Sequence, residues 1–425
     1  MNRTVNIALL GLGTVGAGVL KILKENGHSI NQKVGAEVLV KKALVRNLDK
    51  VRDIEADLTT NFEDILCDPE IDIVVEVMGG EQPAKDYIIQ ALNAGKHVVT
   101  ANKDVVAKYG RELFEAAEKS NVDLMFEASV GGGIPIIRPL KQCLAANRIT
   151  EVMGIVNGTT NYMLTKMTNE RMDFAEVLAE AQAKGYAEAD PTADVGGLDA
   201  ARKIAILSSI AFGTRVSLDQ VSVEGITNIS LQDIEYAREL GYVIKLLAIA
   251  RDSDRGIDVR VHPAFVPNSH PIATVNDVFN AIYVKGDAVG EAMFYGRGAG
   301  QLPTASAVTA DIIDVSRNIL HNDNGRILCT CFEEKQFCPI QKTESLYYVR
   351  LLVEDKPGVL AAIAGAFGAQ QVSLNSVIQK RRVNNCAEIV LITSNVPDAS
   401  IRLAIDTIKG MSVVNHIQSV VRVVS

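Results

Sequence analysis

Four carboxylates, Glu188, Asp190, Asp194 and Asp199, fall within twelve residues and are interleaved with Pro191, Gly196 and Gly197. Carboxylates at that density among glycines and a proline suit a loop that turns polar side chains inward. Asp199 and Lys203 stand four apart, so a helix through them presents both on one face. The segment reads as a polar loop that runs into a helix. The same spacing also fits a solvated acidic loop with one surface ion pair.

A second group of residues carries chemistry of another kind. Gly11-Leu12-Gly13-Thr14-Val15-Gly16 follows the apolar run 5–10 directly and precedes a helical pattern. In that setting Gly11 permits the tight turn, Gly13 lets a pyrophosphate approach the backbone, and Gly16 allows helix and strand to pack. The phosphates would rest on the N–H groups of Thr14 and Val15 at the helix N-terminus. A plain strand-to-helix turn is the alternative. NAD-selective sites hold an acidic residue at the end of the second strand, where it bonds the ribose hydroxyls and repels a 2′-phosphate. Here that position reads Val45-Arg46-Asn47. Arg46 can fork onto a 2′-phosphate, which favours NADP(H), while the nearby Asp49 keeps NAD(H) open. Arg46 as a mere surface cation is the competing reading.

The elements that must position these groups show in the apolar pattern. Strand-like runs at 5–10, 37–45, 71–79, 96–102 and 122–130 alternate with helical stretches near 14–26, 83–94 and up to 119. That alternation predicts a Rossmann-type, doubly wound parallel sheet over 1–139, and the helix at 303–320 is expected to return to it. Residues 140–302 mix two helices, at 172–184 and 198–212, with longer alternating strands, which predicts an α+β substrate and dimerisation domain. A linker at 321–345 follows. From 346 to 425 a βαββαβ pattern restarts, the order of a ferredoxin-like unit.

Length alone suggests two to four domains at about 100–200 residues each, and the pattern favours three. The chain has 425 residues, 48% of them hydrophobic, and a formal net charge of -8. Such a charge offers no positive field for nucleic acid or an anionic membrane, so a small-molecule partner is expected. No run reaches the length of a membrane span, and no basic or cleavable leader opens the sequence. Six scattered cysteines fit a reducing compartment, and the cytoplasm is the expected location. Cys329, Cys331 and Cys338 form CxC-x6-C, which lacks the second pair or the histidines of a zinc site.

The segment from Ala181 to Lys203 resembles the homoserine dehydrogenase signature A-x3-G, D-P-x2-D, G-x-D-x3-K at every fixed position. The resemblance extends to Ala101-Asn102-Lys103, to the stretch from Glu127 through Val130 and Gly132 to Ile134 and Pro135, and to Asn157-Gly158-Thr159-Thr160-Asn161. It covers residues 1–320. It implies interconversion of L-homoserine and L-aspartate 4-semialdehyde, on the route to threonine and methionine. Lys203 is then the acid/base and Lys103 its partner, with Lys103 as a plain cofactor contact the alternative. Glu188 and Asp199 would take the substrate ammonium, Asp190 and Asp194 would shape the loop, and Gly158 and Thr159 would line the substrate. Thr100, Gly185 and Gly300 would join the cofactor contacts. The resemblance also implies sodium at Glu127, Val130, Gly132 and Ile134, fixing a hinge; Glu127 as a simple loop cap is the alternative.

Glu354-Asp355-Lys356-Pro357-Gly358-Val359-Leu360 resembles the turn of an ACT domain, a small amino-acid-sensing module. In paired ACT domains the effector would lie between the turn at Asp355, Gly358, Val359 and Leu360 and Asn375 on the second strand of the neighbouring domain. That implies feedback by L-threonine in a homodimer or homotetramer, against a purely dimerising role. Rival readings are a cysteine-dependent semialdehyde dehydrogenase, for which Cys67 and Cys143 lack a thiolate-stabilising setting, and a non-catalytic nucleotide and amino-acid sensor.

Overall fold

The structure, a computed structural model, describes residues 3–50, 56–327, 329–383 and 386–424. In chain order the first elements are β1 (Thr4–Leu10), α1 (Thr14–Val34), β2 (Glu37–Leu44), β3 (Asp57–Thr59), α2 (Glu63–Leu66) and β4 (Ile73–Glu76). Next come α3 (Ala84–Asn93), β5 (His97–Thr100), α4 (Lys103–Lys119), β6 (Leu124–Met125) and β7 (Ile149–Ile155). The middle holds α5 (Gly158–Glu170), α6 (Phe174–Ala183), α7 (Thr192–Val195), α8 (Leu198–Ala211), β8 (Ser222–Val223) and α9 (Leu231–Glu239). It continues with β9 (Tyr242–Ser253), β10 (Gly256–Pro267), β11 (Phe279–Gly286), β12 (Gly290–Arg297) and α10 (Gln301–His321). The last stretch is β13 (Glu344–Glu354), α11 (Val359–Ala369), β14 (Leu374–Val383), β15 (Cys386–Thr393), β16 (Val396–Pro397), α12 (Asp398–Lys409) and β17 (Val414–Val423).

Two compact units divide these elements. The first comprises Met1–Val152, Arg202–Val221 and Phe279–Glu334, and the second comprises Met153–Ala201, Ser222–Val278 and Lys335–Ser425.

The first unit is built on a six-stranded parallel sheet of order β3-β2-β1-β4-β5-β6. The inner strands β4 and β5 are buried at every position because both faces are covered. On one face Val5, Ile7 and Leu9 pack with Val19 of α1 and with Val308, Ile312 and Val315 of α10. On the other, Ala8, Leu10, Val74 and Val98 pack with Ile88 and Leu92 of α3 and Leu113 of α4. Helix α1 runs past Gly27 to Val34, eight residues beyond the sequence expectation. Burial of Ile30 and Val34 outweighs the roughly 1 kcal/mol helix penalty of one glycine. It stops at Gly35, whose left-handed φ of 87° lets its N–H reach Asn31 O.

The second unit centres on the twelve-residue antiparallel strands β9 and β10. β10 pairs in parallel with β17 through Ala264↔Arg422 and Phe265↔Val423. The sheet continues β17-β13-β15-β14 with antiparallel pairing, so the C-terminal ferredoxin-like sheet is grafted onto the β9–β10 hairpin. Helices α11 and α12 cover one face of this graft over Val349, Leu351, Ile363, Phe367, Ile389 and Ile401. Two helices of the middle region, α5 and α9, were not anticipated from periodicity. Each starts on a polar cap: Asn157 accepts from Thr160 N, and Ser230 and Asp233 form a capping box.

Candidate active site

In the first unit the glycine turn has the geometry a pyrophosphate needs. Gly11 has φ +103° and its N–H bonds Leu44 O at 3.1 Å. A Cβ on Gly16 would lie 2.1 Å from Gly11 O, so only glycine lets the helix start this close to the turn. Around Gly13 a Cβ would meet nothing within 4 Å, which leaves open space beside the backbone. Helix α1 has no acidic residue in its first turn and no side-chain cap, so the Thr14 and Val15 end keeps its positive character. The residues therefore fit a dinucleotide. Arg46 follows β2, is exposed, and has no ion pair to a described residue. Gly300 sits at the start of α10 with φ +128°. Thr100, at the end of β5, is buried and donates to Glu76 Oε2 at 2.6 Å. Glu76 is a buried carboxylate that sequence reading missed. Burial pushes its pKa up, against hydrogen bonds from Thr100 and from the N–H groups of Met78 and Gly79.

Lys103 opens α4 behind its cap Asn102, which accepts from Val105 N and donates to Gly80 O at 2.7 Å. Lys203 lies on α8, one turn after Asp199. Both lysines are half-buried. Between their immediate neighbours runs an ion pair, Arg202 Nε to Asp104 Oδ1 at 2.6 Å. It ties the first turn of α4 to α8 and so fixes where both lysines start, a role that sequence spacing did not reveal.

The proposed sodium segment shows a different use of its acid. Glu127 Oε1 accepts from Ile136 N and Ile137 N, at 2.5 and 2.8 Å, and Oε2 accepts from Arg138 N at 2.7 Å. The carboxylate thus holds three successive loop amides. Val130 and Ile134 are buried, and Gly132, at φ +55°, packs so tightly on Gly298 that a Cβ would lie 2.4 Å from its carbonyl oxygen. Among the described residues no cluster of three or more His, Cys, Asp or Glu side chains could hold a metal.

In the second unit the acidic segment is gathered by a residue absent from the sequence-based site. Asn157 Nδ2 donates to Asp194 Oδ1 at 2.7 Å and to Asp199 Oδ2 at 2.9 Å, while its own Oδ1 caps α5. Asp199 is buried and Asp194 half-buried. Gly197, at φ +84°, brings this loop against Val223 and Val261, where a Cβ would come within 3.1–3.2 Å. Glu188 is exposed at the loop's start, and Asp190 turns the chain by accepting from Thr192 N and Oγ1. These two bonds hold the Asp190 carboxyl below its usual range. Gly158 begins α5, Thr159 Oγ1 donates to Tyr186 O at 2.6 Å, and Gly185 turns at φ +73°.

The C-terminal turn places Gly358 at φ +89° before α11, whose first turn carries no acid. Asp355 pairs with Arg382 at 2.6 Å, Val359 is buried, Leu360 is 41% exposed, and Asn375 accepts from Ser394 Oγ on the neighbouring strand end.

A doubly wound sheet with a glycine turn free of acids, lysines on α4 and α8 and a gathered carboxylate pair define a nicotinamide-dinucleotide oxidoreductase. Profiles described as the homoserine dehydrogenase NAD-binding domain, homoserine dehydrogenase and the ACT domain match residues 11–127, 135–313 and 347–411. The chain belongs to the homoserine dehydrogenase family and carries an ACT domain. It is similar to the homoserine dehydrogenase of Synechocystis sp., 49% identical over 436 residues that span 99% of this chain and 100% of that one. The homoserine dehydrogenase of Bacillus subtilis is 42% identical over 99% of this chain and 98% of its own. Among solved structures, a homoserine dehydrogenase from Thiobacillus denitrificans superposes with a TM-score of 0.95 at 43% identity, covering 100% and 99% of the two chains. The S. aureus enzyme at pH 6.5 gives 0.79 at 36% identity over 100% of each chain.

Proposed function

We propose that this chain interconverts L-homoserine and L-aspartate 4-semialdehyde with NADP(H) preferred, in the synthesis of threonine and methionine. The observation that carries the reading is the bridge from Asn157 to Asp194 and Asp199, one helical turn before Lys203. Glu188 and Asp199 bind the substrate ammonium, Asp194 and Asp190 hold the loop, and Gly158 and Thr159 line the substrate. Lys203 delivers the proton to the developing alkoxide in reduction and removes it in oxidation, with Lys103 beside it. The bound nicotinamide supplies or accepts the hydride. Gly11, Gly13, Thr14, Val15 and Gly16 hold its pyrophosphate, Thr100, Gly185 and Gly300 complete the cofactor contacts, and Arg46 takes the 2′-phosphate.

The main-chain carbonyls of Glu127, Val130, Gly132 and Ile134 suit a weakly held sodium ion of structural use. The ACT turn at Asp355, Gly358, Val359 and Leu360, with Asn375, receives L-threonine as a feedback effector in a homodimer or homotetramer. Domain limits at 139, 302 and 345 and a cytoplasmic location complete the proposal. No helix among the described residues is long and apolar enough to cross a membrane.

An initial-rate assay with aspartate semialdehyde, comparing NADPH with NADH and adding threonine, tests the set. Turnover that depends on the semialdehyde is expected, as is a preference for NADPH that Arg46→Ala erases and inhibition by threonine. No turnover would sink the enzymatic reading. Full activity after replacement of sodium by a bulky organic cation would remove the ion.

A further inference from the structure

Within the second unit, a cleft of ≈ 370 Å³ opens where β10 meets β17 and the segment leading into β13. It lies apart from the ACT turn and from the acidic loop, and no role above uses it. Five cationic side chains line it: Arg251, Arg255, Arg260, Lys342 and Arg422. Three carboxylates, Asp254, Asp258 and Glu344, line it too. The excess is positive in a chain whose formal net charge is -8.

Each buried arginine of this cluster keeps one donor without an acceptor. Arg260 and Arg422 are 3% and 7% exposed, and the Nε of each has no hydrogen-bond partner among the described residues. Asp258 Oδ2 lies 3.3 Å from Arg260 Nε without the alignment of a hydrogen bond. The other end of Arg260 donates to Thr343 Oγ1 and Ser345 Oγ, at 3.3 and 3.2 Å. Arg422 spends its terminal nitrogens on Asp398 and Glu224, and Arg255 pairs with Glu344 at 2.6 Å. Buried donors left in this state carry a desolvation penalty that a bound oxyanion would lift.

His262, 3% exposed, lines the same cleft. Its Nδ1 donates to Pro263 O at 3.0 Å, so Nε2 carries a lone pair, and that atom too has no partner among the described residues. Burial, with Arg422 and Arg260 close by, holds its pKa well below the usual value, so it stays neutral and accepting. The cleft thus offers several N–H donors and one acceptor that wants an O–H.

We propose that this cleft binds a phosphate group, free or as a small ester, with its oxygens on the arginines and Lys342 and its P–OH donated to His262. A carboxylate satisfies the arginines but brings no proton for His262. Sulfate matches phosphate in shape yet has no O–H near neutral pH, which makes it the discriminating probe.

The test is calorimetric titration of inorganic phosphate into the full-length protein at pH 7, saturated with NADPH so that the dinucleotide site is filled. One site per chain is expected, with sulfate at least about tenfold weaker, the cost of leaving His262 Nε2 without a donor. Lys342 is exposed, so Lys342→Met should fold normally and weaken phosphate by about fivefold or more. Asp258→Asn should tighten it, a change of sign that no purely structural role of this residue produces. Glycerol 3-phosphate binding more tightly than phosphate would assign the site to an ester, and weaker binding to the free ion. No heat above that of sodium chloride, equal affinity for sulfate, or identical binding by Lys342→Met would overturn the proposal.

Discussion

In the first unit the proposed dinucleotide turn is made by the backbone: six consecutive residues form it, Gly13 leaves open space, and α1 starts there with no side-chain cap. In the second unit the proposed substrate loop is held by side chains gathered from far apart in sequence. Asn157 reaches 37 and 42 residues along the chain to Asp194 and Asp199. Away from that loop, a buried structural network of the same long-range kind joins Arg350 to Asp233 and Glu388, which lie 117 residues before it and 38 after it. On the proposed function, the difference follows from the ligands. A pyrophosphate is an anion common to many substrates and is served by generic amides and a helix dipole. A small amino acid must be recognised by charges held at fixed separations, and such charges tolerate burial only inside satisfied networks.

That contrast can be broken most sharply at the one side chain assigned to proton transfer. Lys203→Ala is expected to lower kcat about 10³-fold in steady-state assay, with little change in homoserine KM, because the lost interaction belongs to the transition state. A wild-type kcat in a folded variant would end the assignment. On the backbone side, Gly16→Ala forces a Cβ to within 2.1 Å of Gly11 O. The turn must shift, and a displacement near 1 Å predicts about a 100-fold loss in kcat/KM for NADPH. Homoserine affinity should be spared when it is measured by equilibrium binding without cofactor. An unchanged NADPH profile would mean that the turn is softer than a backbone-built site allows.

The same contrast explains what was legible in the sequence. The glycine turn, the alternating apolar runs of the parallel sheet and the βαββαβ order of the C-terminal unit are local patterns, and the fold class read from them stands. Helices α5 and α9 are marked in sequence by their caps at Asn157 and Ser230 and not by apolar period. Asn157 was part of a quoted motif, yet nothing local says that its amide is aimed at two carboxylates 37 and 42 residues on. The parallel pairing of β17 with β10 is a long-range register that neither strand encodes alone. Glu127 stands out in sequence as an acid beside a glycine run, but its three amide partners at 136–138 come into reach only through the folded loop.

Asn157→Ala sharpens the comparison from the side-chain side. It removes the donor shared by Asp194 and Asp199 and leaves two carboxylates facing each other inside a half-buried loop. Homoserine KM should rise about tenfold or more, the usual scale of one hydrogen bond to a charged group, while NADPH KM stays near the wild-type value. Thermal unfolding should fall by a few degrees as well. An equal rise in both KM values would mean that Asn157 supports the whole enzyme rather than the substrate loop.

The smallest effect tests whether the first unit is as backbone-built as its turn suggests. Arg202 and Asp104, 29% and 27% exposed, are the side-chain pair that fixes α4 and α8 beside the two lysines. As an ion pair in partial contact with water it should contribute no more than about 1 kcal/mol to stability. Its value lies in placement, so a double-mutant cycle with Arg202→Gln and Asp104→Asn should show coupling in kcat of several-fold and little coupling in Tm. The two singles and the double should lose similar activity, because either change frees the same contact. Additive losses in kcat would instead mean that each residue acts through its own neighbour, and that the lysines of the first unit are positioned by their helices alone.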